Sequence, residues 1–280
     1  MPCASKVKIR VGKIPYVNVL PYYFGLMQPE GAEVDYTETY PARLNVAMRR
    51  GHLDAGMISS LEYLNGQDHY ALLPGFCIGA KDFSGSVLLF SKVKLEALDG
   101  ARIALTRESL SSAALLRILL KLRFKYHNHF SVRNVDPDEL FKQYDAGLVI
   151  GDQALLHPPK DFFYRYDLSE LWWEWTGKPF CFSVWAVQKR FAEEHAGTVS
   201  KFSEMLARNL KKNLADLEGL IAGALDIDFL DPRYSKIFGY LFNLHFSLDP
   251  AMLEGLQLFY RLAHRLGLSP RPKPFEFFGK

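Results

Sequence analysis

Four short apolar segments of this chain run out into small polar side chains. Asn18 follows "KIRVG" and the turn Tyr16-Val17-Asn18, and Ser59 and Ser60 follow "LDAGMI". Thr106 closes "ARIALT", and Gly151 and Asp152 close "YDAGLVIG" and begin what comes next. Side chains of this kind hold hydroxyls, carbonyls and carboxylates through hydrogen bonds, and they also cap helices. At any single position both roles stay open. In open parallel sheets, ligands collect beyond the carboxyl ends of strands, where the next helices begin.

The stretch "TRESLSS" (106–112) is denser than capping requires. Thr106, Ser109, Ser111 and Ser112 crowd one predicted helix start, where a single capping side chain suffices. Free N–H groups at a helix start, joined by hydroxyls, form a site for a carboxylate or phosphate. The cluster therefore points to an anion, and Glu108 is expected to face solvent. Ser86 opens the strand "SVLLFS" after "DFSGS". A strand-edge serine bonded to neighbouring backbone accounts for it, and without a Gly-x-Ser-x-Gly elbow a covalent nucleophile has no support.

Other polar features carry less. His127 and His129 sit in the basic turn "KYHNHF" without partner ligands that would make a metal site. "LWWEWTGKPF" (171–180) reads as packing followed by a helix stop at Gly177. Neither a Gly-rich dinucleotide fingerprint nor a Walker A loop is present, which disfavours nucleotide cofactors.

The elements that must position these residues alternate through the first half. Strands are expected at 8–12, 53–58, 86–91, 101–106, 130–135 and 144–151, with helices at 41–52, 59–64, 111–124 and 136–143. Such alternation predicts parallel α/β layers with helices on both faces. The last third is helical over 198–224, 232–244 and 249–267, with Asp231-Pro232 and Asp249-Pro250 as start signals and an irregular Pro-rich tail beyond 268.

The totals bound the function. At 280 residues, 49% hydrophobic and 23% charged, the chain suits one large globular domain or two lobes. A formal charge of +3, from 34 basic and 31 acidic residues, is too balanced to imply nucleic acid or a membrane surface. Cys3, Cys77 and Cys181 form no disulfide or zinc pattern. The start lacks the apolar core of a secretion signal, and no apolar run reaches the ~18 residues of a membrane span. A cytoplasmic protein is expected.

Taken in order, "VGKIPYVNVLPYYFGL", "LDAGMISSLEYL", "GSVLLFSK", "ALTRESLSSAALLRILL", "AGLVIGDQAL", "YDLSELWWEWTGKPFCFSVWAVQK" and "FSLDPAMLEGLQLFYRLAHRLGL" resemble a known family. The resemblance is to the chorismate dehydratases that act in menaquinone biosynthesis through the futalosine pathway, and it spans residues 8 to 268. It implies a two-lobed, type II periplasmic-binding-protein-like fold with a ligand cleft between the lobes. Lobe 1 would comprise 1–90 and 188–280, and lobe 2 would comprise 91–187. The implied reaction converts chorismate to 3-[(1-carboxyvinyl)oxy]benzoate and water, without a cofactor, metal, nucleic-acid or membrane partner.

On the matching motif positions, the resemblance implies that Asn18 and Ser86 act on the reacting ring. It implies substrate binding by Ser59, Ser60, Thr106, Ser109, Ser111, Ser112, Gly151 and Asp152. The base would be the substrate's own enolpyruvyl carboxylate or else Asp152, and Arg43 and Arg107 are candidates for a second carboxylate. Two other readings remain: 1,4-dihydroxy-6-naphthoate synthase, a same-pathway enzyme expected to use a site histidine, and a non-catalytic binding protein for a small organic anion.

Overall fold

In the computed structural model, residues 7–28, 33–134, 136 and 139–280 are described. Cys3 lies outside them, as do Val135 at the end of the strand expected over 130–135 and residues 137 and 138 of the helix expected over 136–143.

The chain begins with β1 (Lys8–Lys13), a tight turn at Val17–Val19, α1 (Leu20–Tyr23), β2 (Glu33–Glu38) and α2 (Pro41–Arg49). β3 (Ala55–Ser59), α3 (Ser60–Asn65) and β4 (Tyr70–Ala80) follow. A second set runs β5 (Val87–Ser91), β6 (Arg102–Thr106), α4 (Leu110–Ile118), β7 (His129–Arg133), α5 (Leu140–Gln143) and β8 (Ala146–Ile150). It closes with α6 (Gly151–Leu156), β9 (Tyr164–Asp167) and α7 (Leu168–Thr176). The chain then returns through β10 (Phe180–Gln188), α8 (Lys189–Glu194), α9 (Ala196–Ala215) and α10 (Leu217–Leu225). It ends with α11 (Tyr234–Asn243), β11 (Leu244–His245) and α12 (Pro250–Arg265).

These strands form two sheets, ordered β11-β4-β10-β3-β1-β2 and β7-β6-β8-β5-β9. Each is the floor of one lobe, and a continuous apolar core runs from one to the other. The sheets are mixed, which corrects the all-parallel expectation. β1 pairs parallel with β2 and β3, but β10 runs antiparallel to both β3 and β4. Likewise β5 is antiparallel to β8 and β9. The cause is topological: β5 and β10 are the first strands after the chain changes lobes, so each arrives from the opposite direction. Those changes fall between Ala80 and Val87 and between Asp167 and Phe180. The expected boundary at 90/91 thus cuts β5, and the one at 187/188 cuts β10.

The helix expected over 198–224 is two helices, α9 and α10. Asp216 breaks it, its carboxylate accepting the Gly219 N–H at 2.8 Å as the cap of α10. Asp249 caps α12 in the same way through the Met252 N–H, and Gly177 ends α7 in the left-handed conformation (φ +63°) that glycine adopts without a steric penalty. The tail beyond 268 is irregular but docked: the Leu72 N–H donates to the Glu276 carbonyl and the Phe278 N–H to that of Leu72. Among the described residues no helix is long and apolar enough to cross a membrane.

Candidate functional site

The carboxyl ends of β1, β3, β6 and β8 converge on a cleft between the two sheets with about 610 Å³ of empty space, part of it open to solvent. β1 delivers Asn18 on the turn that follows it, β3 delivers Ser59, β6 leads to Ser109 and Ser112, and β8 ends at Gly151. Ser86 arrives by a different route. Because β5 is antiparallel to β8, with Val87 opposite Ile150, the start of β5 lies at the same edge as the end of β8. The Gly151 N–H donates to the Ser86 carbonyl at 2.8 Å. The floor is completed by Ile78, Phe182 and Ser183 of the central strands and by Tyr240 of α11.

Three polar groups meet in one corner. The buried Ser86 hydroxyl donates to the Tyr240 hydroxyl at 2.9 Å. Asn18 stands close to Tyr240, and the Asn18 Oδ1 is buried without any hydrogen-bond partner. Burial pushes the Tyr240 phenol well above its ordinary pKa, against the opposing pull of the Ser86 hydrogen bond and the nearby Asn18 amide. The phenol is therefore neutral and keeps its proton.

The α4 start supplies the second polar patch. Ser109 caps the helix by accepting the Ser112 N–H at 3.2 Å, and its hydroxyl donates to the Ser112 hydroxyl at 2.8 Å. That leaves the Ser112 proton as a donor at the cleft wall, which both serines line. Ser59 is held by Asn45, which donates to its hydroxyl and accepts its N–H. Gly151 stands at φ +62°, and a Cβ there would come within 3.3 Å of the Tyr16 ring, so only glycine fits without strain.

Two carboxylates of the second lobe reach across to adjacent residues of the first. The Tyr16 hydroxyl donates to Glu108 at 2.8 Å, and the Val17 N–H donates to Asp152 at 3.2 Å. Burial and the Glu108 carboxylate hold the Tyr16 phenol far above its ordinary pKa. Burial raises the Asp152 carboxyl as well, opposed by the Val17 N–H and by His157.

Asn18, Ser59, Ser86, Ser109, Ser112 and Gly151 thus meet at one cleft, and the other expected residues stand apart from it. The Ser60 hydroxyl donates to the Cys181 carbonyl, and the Ser111 hydroxyl bonds Ser60 at 2.9 Å while accepting the Leu61 N–H. Both serines are fully buried and join α3 to α4. Thr106 turns its oxygen to the Glu108 N–H, and Asp152 lies behind the cleft wall against Val17. Glu108 lines the cleft and does not face solvent, because Tyr16 offers it a donor there. Arg43 and Arg107 are exposed and line no part of the cleft. Among the described residues no cluster of three or more His, Cys, Asp or Glu side chains is placed to hold a metal ion.

Sequence reading missed Tyr16, Glu108 and Tyr240 as cleft groups. Tyr16 belongs to the Tyr-x-Asn element already singled out, whereas Tyr240 in "IFGYLF" is indistinguishable from a core aromatic.

Two sheets joined by two chain crossings, with a cleft between them, define a periplasmic-binding-protein-like fold. The Candida albicans CA3427 gene product, described as exhibiting the generic periplasmic binding protein fold, is similar over 98% of this chain and 99% of its own, with a TM-score of 0.66 at 11% identity. The alkanesulfonate-binding protein SsuA from Xanthomonas axonopodis, bound to MOPS, gives a TM-score of 0.60 over 96% of each chain at 16% identity. Sequence similarity is narrower. Residues 9–265 match the menaquinone biosynthesis family, and the chain belongs to that family. It is 36% identical over 273 residues to a chorismate dehydratase of Thermus thermophilus, covering 92% of this chain and 94% of the relative. It is 28% identical to a chorismate dehydratase of Campylobacter jejuni over 80% and 85% of the two chains.

Proposed function

We propose that this chain is a chorismate dehydratase, a carbon–oxygen lyase that eliminates water from chorismate to give 3-[(1-carboxyvinyl)oxy]benzoate. The observation that carries the reading is the convergence of polar side chains on one cleft: Asn18 and Ser86, with Ser109 and Ser112 at a helix start. The curated relatives of the same family carry that activity in their names.

The reaction breaks a ring C–H bond beside the enol ether and the C–O bond of the neighbouring hydroxyl, and its driving force is the aromatic ring that results. The ring carboxylate is conjugated with the carbanion that develops. Donors that hold it, here the Ser112 hydroxyl at the start of α4, stabilise that charge as it forms. One such preorganised donor is worth roughly 3 kcal/mol. Asn18 and Ser86 would meet the hydroxyl side of the ring.

Neither Asn18 nor Ser86 is a base at neutral pH. Asp152 is committed to the Val17 N–H, and Glu108 accepts from Tyr16. The enolpyruvyl carboxylate of the substrate, next to the departing proton, is therefore the base in this reading. In this reading one lobe runs to the crossing between Ala80 and Val87 and resumes after the crossing between Asp167 and Phe180, the other lies between these crossings, and the enzyme acts in the cytoplasm as a step of the futalosine route.

Incubation of the purified protein with chorismate, followed by proton NMR, tests the proposal. Aromatic ring protons should replace the cyclohexadiene signals. Chorismate that binds and stays unchanged would make the chain a small-anion binding protein instead.

A further inference from the structure

The Asn18–Ser86–Tyr240 corner has an unspent donor and an unspent acceptor side by side. The Ser86 proton is committed to the Tyr240 oxygen at 2.9 Å, so the phenolic proton of Tyr240 is the one left to offer. The Asn18 Oδ1 is buried with no donor to accept from. Asn18 and Tyr240 are both among the residues that line the cleft. A hydroxyl is the group that satisfies such a pair, since its oxygen accepts one hydrogen bond while its proton makes another. A buried pair left unfilled is destabilising, so the corner selects a ligand bearing a hydroxyl there.

We propose that Tyr240 is a catalytic residue, the general acid for the departing ring oxygen, with the Asn18 carbonyl holding that hydroxyl's own proton. The inference rests on the dehydratase reading. As the C–O bond breaks, its electron pair stays on oxygen, which takes the phenolic proton and leaves as water. The proton removed from the ring by the enolpyruvyl carboxylate returns through solvent to the phenolate, so the enzyme is restored and one water is released. Neutrality of the phenol, enforced by its burial, keeps the proton available before reaction.

Tyr240→Phe keeps the ring and removes the donor. The product lacks the ring hydroxyl, so its binding does not use this corner. The expected result is a fall in kcat of about 100-fold, in the usual range for a lost general acid, with the product Kd within about twofold of wild type. A kcat within threefold of wild type, or a loss of product affinity that matches the loss of kcat, would overturn the proposal. Should that variant fail to fold, a fluorinated tyrosine at 240, isosteric but more acidic, replaces it. The more acidic phenol should then raise kcat as fluorines are added, and a kcat insensitive to fluorination overturns the assignment. Wild-type protein that leaves chorismate intact removes the dehydratase reading and this inference together. An active wild type with an unimpaired Tyr240→Phe variant removes only this inference.

Discussion

The Tyr16 hydroxyl of one lobe donates to the Glu108 carboxylate of the other at 2.8 Å, closing the cleft beside Asn18. The next residue repeats the connection, its N–H donating to Asp152. A hydrogen bond to a charged group is worth about 1.5–3 kcal/mol. Tyr16→Phe removes the first of these bonds from the closed arrangement without emptying a core site. KM for chorismate should rise about tenfold with kcat changed less and a modest fall in thermal stability. Steady-state kinetics beside a melting curve checks this, and an unchanged KM would show that the contact does not help to hold the lobes closed.

Asp152→Asn separates the two candidate bases. The amide carbonyl can still accept the Val17 N–H, so turnover should stay within about fivefold of wild type, well short of the 100-fold or more lost with a general base. Loss of turnover with product binding intact would make Asp152 the base. The same variant carries a pH signature. Burial raises the native Asp152 carboxyl above its ordinary value of 3.8, so the native chain holds this proton more tightly than the unfolded chain. Stability from this group therefore falls as pH climbs from that value through the raised one. Melting temperatures measured across that window should shift against wild type, relative to Asp152→Asn, as pH increases.

Adjacent serines should respond in opposite ways. Ser112→Ala removes a cleft donor and should raise KM about tenfold with a small change in stability, since one hydrogen bond contributes about 1 kcal/mol. Ser111→Ala instead leaves the Leu61 N–H without its partner in a fully buried place, while the Ser60 hydroxyl keeps only the Cys181 carbonyl. It should cost about 1–3 kcal/mol of stability while KM stays near wild type. Denaturant titration with kinetics on both variants distinguishes them, and equal effects on KM would contradict the placement of Ser111 outside the cleft.

Asn18→Ala should lower turnover by about 100-fold or more while leaving the fold intact, because the Asn18 Oδ1 supports no structural contact. Turnover near wild type would remove Asn18 from the chemistry.

Much of this organisation was legible where a local signal existed. Ser59, Ser109, Asp216 and Asp249 cap their helices through a side-chain oxygen, and all but Asp216 were visible, the serines as polar residues ahead of an apolar period and Asp249 as an Asp-Pro start. β4 and β10 gave no such signal: "LLPGFCIGA" and "FCFSVWAVQ" are continuous apolar runs, which show no period to tell strand from helix. Strand direction was equally hidden, because antiparallel pairing of β5 and β10 follows from where the chain changes lobes. In the site, hydroxyl type pointed to 106–112 as a whole. Helical phase then sends Ser112 to the cleft and Ser111 into the core, and Tyr240 comes from a distant helix whose only visible trait is apolar spacing.

A structure of the protein with its benzoate product bound tests the central claim most directly. The account predicts the ring carboxylate at the first turn of α4, within hydrogen-bond distance of Ser112, with Asn18, Ser86 and Tyr240 on the face from which the hydroxyl was lost. A product lodged elsewhere, or with its carboxylate turned away from Ser109 and Ser112, would contradict it.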